Sequence, residues 1–180
     1  MGDLLSIDKV SLRALEPSDI DFLCEIENDT SAWKMSNTLA PFSRFQIEQY
    51  VFESQNDPFA NRQLRLMIDY SENSDNPVAV GAVDLFEVDP LHRRAGVGIL
   101  VNLPYREKGV ASLAMEILVK YAFETLNLHQ LYCNISADNV HSIRLFEKLG
   151  FLPCGLKKDW IHDGGHWKDE WMYQLLNHAT

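Results

Sequence analysis

The chain has 180 residues, of which 46% are hydrophobic and 23% are charged. These are the values of an ordinary globular protein, so they exclude wholesale disorder and predict a single domain over residues 1–180. The 26 acidic residues outnumber the 16 basic ones, which gives a net charge of −10 and argues against nucleic acid as a partner. Three scattered cysteines favour a reducing, cytoplasmic location. No apolar stretch approaches the ~20 residues of a membrane span, and no secretory signal is recognisable.

The first half of the chain predicts one strand, two helices and a meander of strands. Residues 10–15 are typical of a strand, and a helix is expected from Pro17 and Ser18 to about Asn28. Ser43 and Gln46 have the spacing of a capping box, which predicts a second helix beginning at Ser43. Three apolar runs separated by turn signals then predict antiparallel strands at residues 64–70, 78–88 and 96–102.

The second half predicts alternating helices and strands and a terminal hairpin. The apolar residues between Val110 and Ala122 recur at helical intervals. A strand at 131–137 precedes a helix that is capped by Asp138 or Asn139 and ended by Gly150. Strands at 153–161 and 167–176 complete the chain. The predicted fold is therefore α/β (α+β), with a mixed, mostly antiparallel sheet of about seven strands and about four helices.

The turn that opens the helix at Val110 is a candidate anion site. It contains Arg106, Lys108 and Gly109 and directly follows the strand at 96–102. A glycine at this point lets a ligand approach the backbone, and the free N–H groups of a helix start favour a phosphate or pyrophosphate. The alternative is that Gly109 is a simple turn residue and that the two bases only solvate the helix start.

Two spaced motifs resemble the GNAT acetyltransferases. The pattern Arg106-x-x-Gly109-x-Ala111 is similar to the loop that binds the acyl-CoA pyrophosphate in that family. The stretch Asn139-Val-His-Ser-Ile-Arg-Leu-Phe-Glu-Lys-Leu-Gly-Phe151 resembles the family's later motif. Residues 12–15, 91–95 and 126–132 are similar to the subgroup of ribosomal-protein and spermidine or diamine N-acetyltransferases. The resemblance covers roughly residues 10 to 176.

The resemblance implies acetyl-CoA as co-substrate, no metal, and a GNAT-like fold whose fourth and fifth strands splay apart. The pantetheine arm would lie along the edge formed by Leu100, Val101 and Asn102. Asn139, which is equally suited to a plain helix cap, would lie near the thioester. The backbone of the helix-opening turn would hold the pyrophosphate, at the positions Arg106, Glu107, Lys108, Gly109, Val110, Ala111 and Ser112.

Acetyl transfer to an amine requires a proton acceptor, because an ammonium with a pKa of ~10.4 is mostly protonated at neutral pH. The main candidates are Asp84 and Glu87, with Asp89 and His92 nearby. Asp84 and Glu87 are three positions apart and would face opposite sides of a regular strand, so both reach one site only if a bulge intervenes. A solvated surface carboxylate is the alternative for each of them.

The position at which the family often has a proton-donating tyrosine holds Phe146, which we still expect at the cofactor site. A phenyl ring cannot donate a proton. A thiol of pKa ~8.5 is nevertheless a tolerable leaving group, and backbone N–H groups or a water can stabilise it. Tyr105 and Tyr132 are possible substitutes, although packing roles are the alternative for both.

The acceptor is expected on the acidic amino-terminal third of the chain. Residues 1–60 contain 11 acidic and 4 basic residues. Asp21, Glu25 and Asp29 form one helical stripe of like charge, which a polycation could neutralise, and Trp33 is a further acceptor-binding candidate. An ordinary solvated helix face explains the stripe equally well. His162 and His166 flank an Asp-Gly-Gly turn, which accounts for them without a metal.

The leading functional hypothesis is an N-acetyltransferase that acetylates a small-molecule or peptide amine by direct transfer. A polyamine such as spermidine competes with protein amino termini and amino sugars as acceptor. A non-catalytic acyl-CoA-binding module is the alternative of a different class, motivated by Phe146. Association of several copies of the chain is possible through a sheet edge or the terminal hairpin.

Overall fold

An eight-stranded sheet separates two pairs of helices in the computed structural model, which describes residues 4–31, 33, 38–54, 57–72 and 76–178. The strands are β1 (Ser6–Ile7), β2 (Val10–Arg13), β3 (Gln63–Tyr70), β4 (Val78–Asp89), β5 (Arg94–Val101), β6 (Gln130–Ser136), β7 (Leu152–Asp163) and β8 (His166–Leu176). The helices described are α1 (Ile20–Glu27), α2 (Arg44–Glu53), α3 (Val110–Glu124) and α4 (Val140–Lys148), with 3₁₀ turns at Pro17–Asp19 and Leu103–Tyr105.

The predicted fold class and element order are confirmed, with one correction. The sheet has eight strands rather than about seven, because the two-residue strand β1 pairs antiparallel with β2. A strand of two residues is too short to show an alternating pattern, so the sequence does not predict it. The capping box is present: the Ser43 Oγ accepts from the Gln46 N–H at 3.2 Å, and the Gln46 side chain accepts from the Ser43 N–H at 2.8 Å.

The strand order is β1-β2-β3-β4-β5-β6-β8-β7, and every pair except β5–β6 is antiparallel. The parallel pair is short: Arg94 lies opposite Gln130, Ala95 opposite Leu131 and Gly96 opposite Tyr132. Beyond Gly96 the two strands diverge, while β5 remains paired with β4 as far as Val101. The predicted splay is therefore confirmed, and it leaves one backbone edge of β5 open.

The two faces of the sheet carry separate hydrophobic clusters. Helices α3 and α4 cover one face, where residues such as Leu118, Leu131 and Phe151 are completely buried. Helices α1 and α2 cover part of the other face and pack Leu23 and Val51 against the strands. The rest of this second face, over the ends of β4, β5 and β6, carries no helix among the described residues.

An ion cluster joins β2, β3 and the turn before α1. The Arg13 guanidinium donates to both oxygens of Asp19, at 2.7 and 2.8 Å, and through Nε to Asp69 at 2.8 Å. Both carboxylates are buried. Because an unpaired buried charge is costly, this cluster fixes the position at which α1 begins relative to the sheet.

Alkaline pH is expected to destabilise the fold through Cys133, a buried thiol on β6. Burial, together with the nearby Cys154 thiol, raises the pKa of Cys133 from 9.0 to about 12. Because the pKa of Cys133 is higher in the folded protein than in the unfolded chain, the protonated thiol contributes its full stabilisation below pH ~9. This contribution is lost as the pH rises toward 12. The free energy of unfolding should therefore fall by about 1.4 kcal/mol from about pH 8 to about pH 10.

Urea unfolding of the reduced protein at the two pH values measures this slope. Cys133→Val is the matched variant, because it keeps an apolar side chain of similar size and removes the titrating group. An unchanged slope in the variant would show that the Cys133 thiol does not cause the loss.

Candidate active site

The loop between β5 and α3, residues 102–109, has the backbone geometry of an anion site. Gly109 is the residue before α3 and has φ +81° and ψ −5°, in the left-handed region that glycine adopts readily. Among the described residues, and apart from the chain next to Gly109, no atom lies within 4 Å of where a Cβ at Gly109 would stand. The space in front of the helix start is therefore open, and a side chain at this position would project into it.

The first N–H groups of α3 are directed into the same open space. Val110, Ala111 and Ser112 begin the helix, and the amides of a first helical turn have no carbonyl one turn earlier to accept from them. Their dipoles add to the partial positive charge at the helix start. These features fit a phosphate or pyrophosphate, as the anion-site interpretation predicts.

The charged residues of this loop are anchored rather than freely extended. The Arg106 Nε donates to the Val101 carbonyl oxygen at 2.8 Å, which ties the loop to the end of β5. The Lys108 ammonium lies 5.1 Å from the centre of the Tyr105 ring. Glu107 is exposed and also has a positive φ of +63°. Arg106 is thus fixed against the strand end, and Lys108 lies against the Tyr105 ring of the same loop.

The edge predicted for the pantetheine arm lies beside this loop. Leu100 pairs with Ala82 and Val101 with Gly81 of β4, and the Asn102 N–H donates to the Val80 carbonyl at 2.8 Å. The other side of this segment faces the gap between the diverging strands. An extended amide-containing chain can add to such an open edge as a further strand would.

Helix α4 places the later motif on the far side of the gap. The Asn139 Oδ1 accepts from the Ser142 N–H at 3.1 Å, so Asn139, and not Asp138, is the helix cap. Phe146 is 4% exposed and lies edge-on to Phe151, with 5.1 Å between the ring centres. A contact of either residue with the co-substrate stays a prediction.

A bulge near the end of β4 brings Glu87 to the uncovered face of the sheet. The register with β5 shifts between Phe86 and Asp89, and Glu87 has a φ of +49°. As a result Asp84 and Glu87 share one face in spite of their odd spacing. The Glu87 Oε2 accepts a hydrogen bond of 2.5 Å from the Tyr132 hydroxyl on β6.

Asp84 is held in an ion pair at the edge of this face. The Arg65 guanidinium donates to the Asp84 oxygens at 2.7 and 3.1 Å and also to Glu27 at the end of α1. Burial opposes the charge of Arg65, but the two carboxylates outweigh it and hold its pKa above the ordinary value. Asp84 therefore serves a structural contact in this conformation, which makes it the weaker of the two base candidates.

Asp89 and His92 are also occupied by local contacts. The Asp89 Oδ1 accepts from the backbone N–H groups of His92 at 2.9 Å and Leu91 at 3.0 Å. The His92 N–H is the main cause that lowers the pKa of Asp89. Asp89 thus shapes the turn between β4 and β5, while Glu87 retains a carboxylate at an open surface.

A cleft of about 770 Å³ lies on the uncovered sheet face, next to the point where β5 and β6 diverge. Phe86 and Tyr132 form part of its lining, and their ring centres are 6.1 Å apart. Its charged lining residues are Arg62, Glu87, Asp89, Arg94 and Lys157. The cleft therefore combines an aromatic surface with charges of both signs.

The acceptor residues predicted on α1 do not form a free acidic stripe. The Asp21 side chain is 82% exposed and pairs with Arg44 of α2 at 2.5 Å, so the compensating charge comes from this chain. The helix ends at Glu27, and Asp29 lies beyond it. Glu25 is exposed, and the Trp33 Nε1 donates to the Glu27 carbonyl at 2.9 Å. An acceptor contact at Asp21, Glu25 or Trp33 stays a prediction.

Sequence reasoning did not identify the glycines of β5 as part of the site. A Cβ at Gly96 would clash with the Phe86 ring, and a Cβ at Gly98 would lie 3.8 Å from the same ring. Two glycines at alternate positions of a predicted strand are an unusual pattern, and they signal a close approach of another group. In this sheet the approaching group is the Phe86 ring, which lines the cleft.

The chain belongs to the acetyltransferase (GNAT) domain family, which its residues 9–152 match. It is therefore an acyltransferase rather than a non-catalytic module. It is 27% identical to the spermidine N(1)-acetyltransferase of Escherichia coli strain K12, over 83% of this chain and 76% of that protein. It is 27% identical to the putative ribosomal N-acetyltransferase YdaF of Bacillus subtilis, over 94% and 92%. The predicted subgroup resemblance is confirmed by both relatives.

The fold is also found in a solved structure, that of the spermidine N-acetyltransferase of Vibrio cholerae in complex with CoA and spermine. The TM-score is 0.82 at 24% identity, and the match covers 93% of this chain and 95% of that one. Within the described residues, no helix is long and apolar enough to cross a membrane. The same residues contain no group of His, Cys, Asp or Glu side chains arranged to hold a metal ion.

Proposed function

We propose that the protein transfers the acetyl group of acetyl-CoA to a primary amine. The observation that carries this proposal is the left-handed Gly109 at the open start of α3, beside the gap between β5 and β6. The helix start suits a pyrophosphate, and the open β5 edge suits the amide-containing arm attached to it. The two features adjoin each other, as one extended ligand requires.

The residues of the loop and strand would bind acetyl-CoA in a fixed direction. The amides of Val110, Ala111 and Ser112, with Lys108, would hold the pyrophosphate. The backbone of Leu100, Val101 and Asn102 would pair with the arm. When bound, acetyl-CoA supplies a thioester carbonyl that an amine can attack. The gap between the strands directs that end of the ligand toward the cleft on the opposite sheet face.

Glu87 is the proposed proton acceptor. Its carboxylate lies in the cleft beside the strand divergence, whereas Asp84 is held by Arg65. The attacking nitrogen must lose a proton before or during attack. Glu87 would take this proton, directly or through one water. The departing thiolate needs no proton from Phe146, because backbone N–H groups or a water can stabilise it.

A spermidine-like polyamine is the first acceptor to test, because one relative is named a spermidine N(1)-acetyltransferase. A peptide amino terminus is the second candidate, and the charges of the cleft favour it. Arg62, Arg94 and Lys157 line the cleft together with Glu87 and Asp89. Although Arg94 and Lys157 are paired with Asp89 and Glu170, these cations oppose a multiply charged polyamine more than a single ammonium group at Glu87.

Release of free CoA thiol during incubation with acetyl-CoA and single amines tests the proposal. The panel contains spermidine, a short peptide with a free amino terminus, the same peptide with a blocked amino terminus, and an amino sugar. We expect thiol release with at least one free amine and none with the blocked peptide. A folded protein that binds acetyl-CoA but releases no thiol with any amine contradicts the proposed function.

We also propose that copies of the chain associate through the free edge of β7. Among the described strands this one pairs only with β8, and it exposes Leu152 and Trp160, at 70% and 60%. An exposed edge with apolar side chains favours pairing with a second chain. Sedimentation should show a species larger than 20.6 kDa, and Leu152→Lys should shift it toward the monomer. A monomeric wild-type protein contradicts this expectation.

A further inference from the structure

Tyr132 lies at the point where the sheet opens. It is opposite Gly96 in the last pair between β5 and β6. Its neighbours Leu131 and Cys133 are buried on the face covered by α3, so the Tyr132 side chain lies on the other face, in the cleft. The sequence offers Tyr132 as a possible proton donor to the departing thiolate, and in this structure its hydroxyl donates to Glu87.

Two contacts hold the Tyr132 side chain. Its hydroxyl donates to the Glu87 Oε2 at 2.5 Å, and its ring meets the Phe86 ring edge-on at 6.1 Å. Gly96 and Gly98 leave the space that Phe86 fills. The Tyr132 ring is therefore positioned by packing against Phe86, and its hydroxyl is oriented by the Glu87 carboxylate.

Glu87 itself has few other constraints. It lies at the bulge with a left-handed φ of +49°, a conformation uncommon for a residue with a side chain. Tyr132 provides the only hydrogen bond to its carboxylate among the described residues. A proton acceptor on an exposed bulge samples many rotamers unless a partner restricts it, and unrestricted rotamers lower the fraction of productive encounters.

The charged groups around this pair come from four parts of the chain. Arg62 precedes β3, Asp89 lies on β4, Arg94 on β5 and Lys157 on β7. Arg94 is paired with Asp89 at 3.4 Å, and Lys157 is paired with Glu170 at 2.8 Å. Two of the cations are thus partly neutralised by their own partners, which leaves the Tyr132 hydroxyl as the direct partner of Glu87.

We propose that Tyr132 is a positioning residue that holds the Glu87 carboxylate at the opening between β5 and β6, ready to accept the proton of the acceptor amine. This inference rests on the proposed function. Tyr132 stays protonated throughout and donates to the carboxylate, so the amine proton passes to Glu87 and not to the tyrosine. Burial and the Glu87 carboxylate both raise the pKa of Tyr132, which agrees with a hydroxyl that remains a donor.

A double-mutant cycle on Tyr132→Phe and Glu87→Gln tests the coupling. Phenylalanine keeps the ring contact with Phe86 and removes only the hydroxyl. Tyr132→Phe is expected to lower kcat about tenfold, as loss of a hydrogen bond to a charged group implies. The Kd of acetyl-CoA should not change. In the Glu87→Gln background the same change should have an effect below about twofold.

The pH profile provides a readout that a merely structural role would not change. The hydroxyl donates to the carboxylate that is proposed to take the amine proton, so its removal should change the acidic limb of the kcat/KM profile. Tyr121→Phe is the matched control. Tyr121 is also half-buried with a pKa raised by burial alone, and it lies on α3 away from the cleft. This control should keep the wild-type profile.

A second measurement does not depend on turnover. Tyrosine titration by NMR should show that Glu87→Gln lowers the pKa of Tyr132 toward its ordinary value of 10.0, with Tyr121 unchanged. An equal loss of kcat in both backgrounds, or a Tyr132→Phe profile identical to that of Tyr121→Phe, overturns the positioning role. In both cases the wild-type protein still acetylates an amine, whereas a wild-type protein without turnover shows that the proposed function itself has failed.

Discussion

Replacing Glu87 with glutamine is expected to lower kcat for the best amine about 100-fold. Loss of a positioned proton acceptor typically costs two to four orders of magnitude, about 100-fold at the low end. Glutamine keeps the size of the side chain and can still accept from the Tyr132 hydroxyl, so the bulge and the cleft should be retained. The Kd of acetyl-CoA should be unchanged, because its proposed contacts are the β5 edge, the loop before α3 and the start of α3, and they do not include Glu87. Steady-state kinetics and equilibrium binding measure the two quantities.

Two comparisons make this result specific. Glu116→Gln changes an exposed glutamate on α3 in the same way and should leave kcat at the wild-type value. Asp84→Asn weakens the ion pair with Arg65 and should lower the stability more than kcat. A larger loss of kcat in Asp84→Asn than in Glu87→Gln would reverse the assignment of the proton acceptor.

Replacing Gly109 with valine is expected to raise the Kd of acetyl-CoA by at least about tenfold. The new side chain would enter the open space in front of α3, where the phosphates are proposed to bind. A tenfold loss corresponds to about 1.4 kcal/mol of binding free energy. Calorimetric titration with acetyl-CoA measures the change directly.

Gly165→Val is the matched control for the backbone conformation. Gly165 has a φ of +89°, close to the +81° of Gly109, and it also has open space around its Cβ position. It lies in the turn between β7 and β8, so valine there carries the same conformational strain of about 1–2 kcal/mol at a site outside the loop. Equal acetyl-CoA affinity in the folded Gly109→Val and Gly165→Val variants would contradict the assignment of the loop.

The elements that depend on local patterns were predictable from the sequence. The capping box at Ser43, a helix cap at Asp138 or Asn139 and the regular helix after Gly109 each follow from side chains within one or two helical turns. The divergence of two strands followed from the resemblance and not from any local pattern, because strand pairing depends on distant parts of the chain. The two-residue strand β1 has too few residues to carry a pattern at all.

The candidate site was predictable in part. The loop at Gly109 was recognised because its residues are contiguous. The choice between Asp84 and Glu87 was open, because it depends on a bulge, on Arg65 of another strand and on Tyr132 more than 40 positions away. Arg44 from a neighbouring helix pairs with Asp21 of the acidic stripe on α1, which the stripe itself could not indicate. A role of the stripe in acceptor binding stays a prediction. Contacts between distant elements are absent from any local pattern.

The ring of Phe86 lies across β5 where Gly96 and Gly98 have no side chains. Positions 86 and 96 therefore cannot change independently, because a Cβ at 96 would clash with the ring. Any larger residue at position 96 displaces the Phe86 ring, which packs against Tyr132. Engineering of acceptor preference should alter 86 and 96 as a pair, for example by exchanging a large and a small side chain between them, because single replacements at 96 would distort the whole cleft.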